Sequence, residues 1–369
     1  MNFSDYQYMP IVRTRASELL GVNMLRDDTK SKILPYASLS RSNRRNDSRT
    51  AFDAWNSVFT GPVILGLEEG NRLQLDDYDY LTSPDNDFEN WIGFILNALE
   101  KNNGVIPSLI LNDNISKRQF VKQIQKFEKT FEKFALKINP LDRREVAAAS
   151  TAASVVDSTE SILFILDSGQ ISRERQKIAL DATIHCINEL RTIESSIEIV
   201  TACTSFPRMF QSYTSINDIG YGEIPMLEWE NFHALGGQDV SIYGDYASIH
   251  GEFYEGAFAR FVARIDYPTP SIWIFQRRQQ LAQEEREILY VNAAETIIAD
   301  ENWDDSLDAW GKEIIEQVAS GNVDGFKAPG KWISVRLNLH IERIVQFLEQ
   351  GITIPDTVDF EDGEDDLDW

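Results

Sequence analysis

Apolar and polar positions alternate between two periods along most of this chain. Short runs of apolar and β-branched residues are separated by longer stretches in which apolar residues recur every three or four positions. Residues 8–13, 32–39, 61–67, 105–111, 135–138, 161–166 and 197–201 read as seven strands. An eighth, 241–243, runs into Gly244-Asp245-Tyr246. Helical spacing fills 16–25, 51–59, 88–101, 116–134, 143–156 and 172–195. In the third of these, Trp91, Ile95 and Leu99 share one face; in the fourth, Phe120, Ile124, Phe127 and Phe131 do, behind a Ser116/Gln119 capping box.

Eight strands with helices between most of them are what a closed (β/α)8 barrel requires. The rival is an open doubly wound sheet, which calls for a glycine-rich phosphate turn after the first strand. Arg13-Thr14-Arg15-Ala16-Ser17 supplies none. The reading is therefore an α/β fold with a TIM-like barrel over 1–256, a strand-pair and helical elaboration over 257–354, and an acidic tail over 355–369. Two strands at 257–265 and 271–275 and helices at 282–299, 304–320 and 331–350 make up the elaboration.

Charge sharpens this picture. The net charge is −24, and the last fifteen residues carry eight acids and no base. That excess repels nucleic acid, so direct nucleic-acid binding is not expected. Two isolated cysteines, Cys186 and Cys203, form no disulfide framework. Residues 1–10 lack a signal-peptide plan, and no apolar run approaches a membrane span. A cytoplasmic protein without a membrane association is the expectation.

In a parallel barrel, function collects at the carboxyl ends of the strands. The acids read there are Glu68, Asp167 and Asp245, with His250 as a possible base. Arg13, Arg15 and Arg277 are candidate anion binders, because guanidinium forks match phosphate. The bland alternative is that these are ordinary polar loop residues. The four histidines, His185, His233, His250 and His340, form no metal-binding spacing. No metal or other cofactor is expected, although an oxygen-only Mg²⁺ site on acids such as Glu68 and Asp167 would leave no sequence signature. Phosphate-loop and serine-hydrolase motifs are absent. In the tail, Phe360, Leu367 and Trp369 interrupt the acids and could anchor a protein partner, where a plain solubilising tail needs no such hydrophobes.

Three stretches carry a family resemblance. Tyr8-Met9-Pro10-Ile11-Val12-Arg13-Thr14-Arg15-Ala16-Ser17-Glu18-Leu19 begins it, and Lys32-Ile33-Leu34-Pro35 continues it. Tyr243-Gly244-Asp245-Tyr246-Ala247-Ser248-Ile249-His250 completes it, with Trp273-Ile274-Phe275-Gln276-Arg277 after it. Together they resemble the Beta protein family of phages, satellites and prophages. Arg15 stands where that family often has lysine, Ser17 near its glycine, and Arg278 where a glycine is expected. The resemblance implies an immunity or antitoxin role in phage defence, exercised through contact with a companion toxin or defence effector. Two further readings come from the residues themselves: a barrel enzyme acting on an anionic, phosphorylated small molecule, and an acidic DNA-mimic inhibitor.

Overall fold

The computed structural model describes residues 2–42, 46–69, 72–215, 220–252, 261–280 and 285–353. The candidate anchors Phe360, Leu367 and Trp369 lie outside them. The strands are β1 (Tyr8–Arg13), β2 (Tyr36–Leu39), β3 (Val63–Leu67), β4 (Val105–Pro107), β5 (Phe134–Ile138) and β6 (Ile162–Gln170). They continue with β7 (Ile199–Thr204), β8 (Tyr221–Pro225), β9 (Ile242–Asp245), β10 (Val262–Pro268) and β11 (Ile272–Gln279). Eight of them form one parallel sheet in the order β4-β3-β2-β1-β9-β7-β6-β5. β4 and β5 then meet through a parallel bridge between Ser108 and Ala135, and the Leu109 N–H donates to the Ala135 carbonyl at 2.8 Å. The sheet closes, and the fold is a (β/α)8 barrel.

Both faces of these strands are buried, which explains their nearly unbroken apolar runs. Met9, Ile11, Leu34, Ile64, Ile106, Leu163, Ile165 and Val200 fill the barrel interior. The alternate positions face the helices, as Tyr8, Val12, Leu65, Phe164 and Tyr243 do. Two glycines make the interior possible. A Cβ on Gly66 would sit 1.8 Å from the Tyr36 hydroxyl, and one on Gly244 would sit 2.8 Å from Val200 Cγ1. The Tyr36 ring occupies the room Gly66 leaves.

The eighth barrel strand is β9, where the sequence places it. Between it and β7 lies β8, which sequence reasoning missed. β8 leaves the barrel to pair antiparallel with β11, which in turn pairs with β10. The expected strand pair after the barrel is therefore two-thirds of a three-stranded sheet. Helices Arg286–Ile298 and Trp310–Ala319 cover it and form a second apolar core. The final helix, Pro329–Gln350, serves both cores: Leu337, Ile341, Ile344 and Phe347 join the barrel cluster, and Trp332, Val335 and Leu339 join the other. It lies against the first helix, Ala16–Asn23, at a contact so close that a Cβ on Gly21 would meet Leu337 Cδ2 and the Ser334 carbonyl, each at 2.8 Å.

Candidate functional site

Period-two alternation decides what reaches the carboxyl mouth of the barrel. On each strand the interior apolar residue is followed, two positions on, by a polar one: Ile11 by Arg13, Tyr36 by Ser38, Ala135 by Lys137, Ile165 by Asp167. Gly66 is followed by Glu68 and Gly244 by Tyr246. The six polar residues link up. Arg13 Nε lies 3.3 Å from Glu68, which also accepts a 2.6 Å hydrogen bond from the Ser38 hydroxyl. Lys137 Nζ lies 3.5 Å from Asp167, which accepts from the Tyr246 hydroxyl at 2.6 Å and from the Gly169 N–H at 2.9 Å. Arg13 sits 6.0 Å over the Tyr246 ring, and Lys137 5.5 Å over that of Tyr36.

The charge states follow from these contacts. Burial works to neutralise Lys137, but Asp167 and the neighbouring acidic groups outweigh it and hold the ammonium well above its ordinary range. Burial and the charge of Asp167 push the Tyr246 phenol well up, so it stays protonated and donates. Exposure divides the ring. Lys137 is 32% exposed and Glu68 17%, whereas Arg13 and Asp167 are 6% each. A ligand entering the mouth therefore meets an ammonium and a carboxylate, each braced from behind by a buried partner of opposite charge.

Arg13 also braces the backbone. Its guanidinium donates to the carbonyls of His250 (3.2 Å) and Gly251. Thr204 Oγ1 donates to the Ile249 carbonyl at 3.0 Å, and the Gly251 N–H donates to Gln170 Oε1 at 2.9 Å. These ties hold a loop in which Ala247 and Ser248 both adopt positive φ, 48° and 67°. Such strain in residues with a Cβ persists only where surroundings over-determine it, and it clusters at functional sites. Beside the loop lies a cavity of about 300 Å³ lined by Asn139, Ser168, Gln170, Arg175, Tyr246 and Gly251.

The structure thus brings Arg13, Glu68 and Asp167 together and separates the other candidates from them. Asp245 points the opposite way, into the helix layer. It is 1% exposed and accepts hydrogen bonds from the hydroxyls of Tyr8 (2.6 Å) and Tyr243 (2.9 Å) and from the Ala247 N–H (2.8 Å). His340, on the final helix, completes the set through Nε2 and stacks on Trp273. Burial would raise the Asp245 carboxyl, but His340 and these donors hold it below its usual value. Asp245 is paired with His340 and not with Arg13 or Arg15, because it lies one position before the inward-facing Tyr246. Arg15 occupies the cap position of the first helix. His250 follows the strained loop, half-buried, its Nδ1 accepting from the Glu252 N–H at 3.0 Å; burial lowers its pKa. Arg277 is on β11, in the second sheet.

Lys137, Tyr246 and His340 were missed. The signal for Lys137 is a lone charge inside an otherwise apolar parallel strand, Phe134-Ala135-Leu136-Lys137-Ile138. Cys203 is buried at the end of β7, and burial raises its thiol well above the ordinary range, so it is a packed side chain. Among the described residues no group of three or more His, Cys, Asp and Glu side chains is placed to hold a metal ion. No helix among them is long and apolar enough to cross a membrane.

Against this geometry, the sequence profile of the family described as Beta protein matches residues 8–346. Protein beta of Enterobacteria phage P4 is 32% identical over 348 residues, covering 94% of this chain and 95% of the phage protein. The match spans β1 to the final helix, so it takes in the barrel, the mouth and the second sheet.

Proposed function

The chain belongs to the Beta protein family, and we propose that it is a barrel enzyme acting on a small anionic molecule held at the carboxyl mouth. The observation that carries this reading is the Lys137/Glu68 pair, the most open members of a ring of otherwise buried charges. Surface ion pairs need no such backing, and burying Arg13 and Asp167 in one layer costs stability unless each is paired. The ammonium of Lys137 would stabilise negative charge on a substrate oxygen, as preorganised cations do in water-poor sites. Glu68, held by Ser38 and Arg13, would take a proton from the attacking or departing group. Asp167 and Tyr246 would position Lys137 rather than react.

Turnover of p-nitrophenyl phosphate and bis(p-nitrophenyl) phosphate by the purified chain tests this. Glu68→Gln should lower kcat by about 100-fold or more, and Lys137→Met should do likewise, with far-UV circular dichroism unchanged. Absence of turnover of both esters by the wild type, or wild-type rates in either variant, would sink the reading.

A second reading, action by protein contact to neutralise or sense a companion toxin or defence effector, is favoured by the net charge of −24 and by the acidic stretch at 355–369. It predicts that a tagged chain recovers one stoichiometric protein partner from its native host and that the Lys137→Met variant recovers it equally well. Recovery of no partner removes it.

A further inference from the structure

One concavity of this acidic chain is lined by arginines that are not part of the ring of charges at the barrel mouth. A cleft of about 360 Å³ is formed where the loop after β7 meets β10, β11 and the start of the final helix. Four arginines line it, Arg208, Arg264, Arg277 and Arg336, with Asp266 as the one acid. Asp266 is committed to two of them: it lies 3.1 Å from Arg264 Nε and 3.0 Å from Arg336 Nη1. Both guanidinium groups are also laid on aromatic rings, Arg264 at 3.5 Å from the Phe210 centroid and Arg336 at 4.1 Å from that of Phe206. These contacts fix two positive forks before any ligand arrives, which reduces the entropy lost on binding.

Two further observations point the same way. Arg277 is half-buried on β11 and makes no ion pair with any of the described residues. Arg336 is only 6% exposed, yet its Nε has no hydrogen-bond partner. The cleft also includes Pro329, Gly330, Trp332 and Ile333 from the first turn of a 22-residue helix, which has neither an acid in that turn nor a side-chain cap. The helix itself thus supplies no negative group to the positive end of its dipole.

We propose that this arginine-lined cleft binds a phosphorylated small molecule, at a site distinct from the barrel mouth. Forked guanidinium donors match the oxygens of a phosphoryl group. A volume of about 360 Å³ holds one small ligand and not a stretch of polynucleotide, which the overall charge would also repel. Nothing in this assignment requires chemistry at Lys137 or Glu68.

Titration calorimetry on the full chain at low salt, with inorganic phosphate, pyrophosphate and ADP as separate probes, tests it. Pyrophosphate should bind at one site per chain, Arg277→Ala should weaken it at least tenfold, and Arg277→Lys, which keeps the charge but not the fork, should fall between. ADP binding tighter than pyrophosphate would identify a nucleoside phosphate, and equal affinities a phosphoryl group alone; both support the site. No heat with any of the three probes, or undiminished affinity in Arg277→Ala, overturns it. Loss of the heat in Lys137→Met instead would assign the anion to the mouth and equally overturn it.

Discussion

Asp245 takes a charge into the helix layer, and four groups hold it there: Tyr8, Tyr243, the Ala247 amide and His340. Removing a buried carboxylate leaves its hydrogen-bond donors unsatisfied, a loss of about 1–3 kcal/mol for each buried group so orphaned. Asp245→Ala should therefore lower stability to urea by that order, and adding His340→Ala should cost much less than a second such loss. Additive losses in that double-mutant cycle would show that the two side chains do not interact. Nearby Glu228 behaves differently. Burial pushes its pKa up to about 7, against the donors from Ser205. Its favourable contribution is complete below the unfolded value near 4.5 and is lost as pH rises through about 7. A shift of that size corresponds to roughly 3–4 kcal/mol. Wild-type stability should thus fall between pH 5 and 8 relative to Glu228→Gln; parallel pH profiles would contradict the buried, raised carboxyl. Individual residues were only partly legible in the sequence. Arg13, Glu68 and Asp167 mark strand ends, where barrel geometry sends side chains inward. Asp245 marks one too, but a shift of one residue reverses the face, and only the register with β1 and β7 reveals it.

Among the elements, the final helix is gripped from two sides by glycines. Gly21 on the first helix admits Leu337 and the Ser334 backbone; Gly311 on the Trp310–Ala319 helix admits Leu339, whose Cγ would be 2.6 Å from an added Cβ. Within a helix, replacing glycine by alanine ordinarily gains up to about 1 kcal/mol. Here the clash with backbone oxygens reverses the sign: overpacking costs about 1–3 kcal/mol. Gly21→Ala and Gly311→Ala should each lower the urea midpoint, whereas Gly93→Ala, with open space around its Cβ position, should not. A raised midpoint in Gly21→Ala would refute the close contact. Helices and barrel strands were readable because each buries a face or two and so carries a clear period. β8 was not. Tyr221-Gly222-Glu223-Ile224-Pro225 is short, alternates in burial, and holds a glycine and a proline that read as loop. Gly222 is required because the Phe275 ring and the Tyr213 carbonyl fill the space of its side chain, a reason that lies entirely in tertiary contacts.

For the molecule as a whole, the barrel and the second sheet share their central struts. The strand count gave the barrel from local pattern alone, but nothing local says that the helix packed on the last barrel strand arrives only after the 83 residues between Asp245 and Pro329, because that placement rests on contacts far apart in sequence. His340 shows the consequence. From one helix it meets Asp245 on barrel strand β9 and stacks on Trp273 of β11, with ring centroids 5.1 Å apart. The same helix contributes Leu337 and Ile341 to one apolar core and Val335 and Leu339 to the other. Neither core can lose this helix without opening a strip of buried side chains to water, and each large side chain so exposed forfeits about 1.5–3 kcal/mol. Arg26 and Thr29 fasten the helix further through Glu342, a fully buried acid. The two cores should therefore unfold together. In urea, tryptophan fluorescence and far-UV circular dichroism should trace one coincident transition, and His340→Ala should move both midpoints equally. Two separated transitions, with only one displaced by His340→Ala, would mean that the helix belongs to one core and merely touches the other.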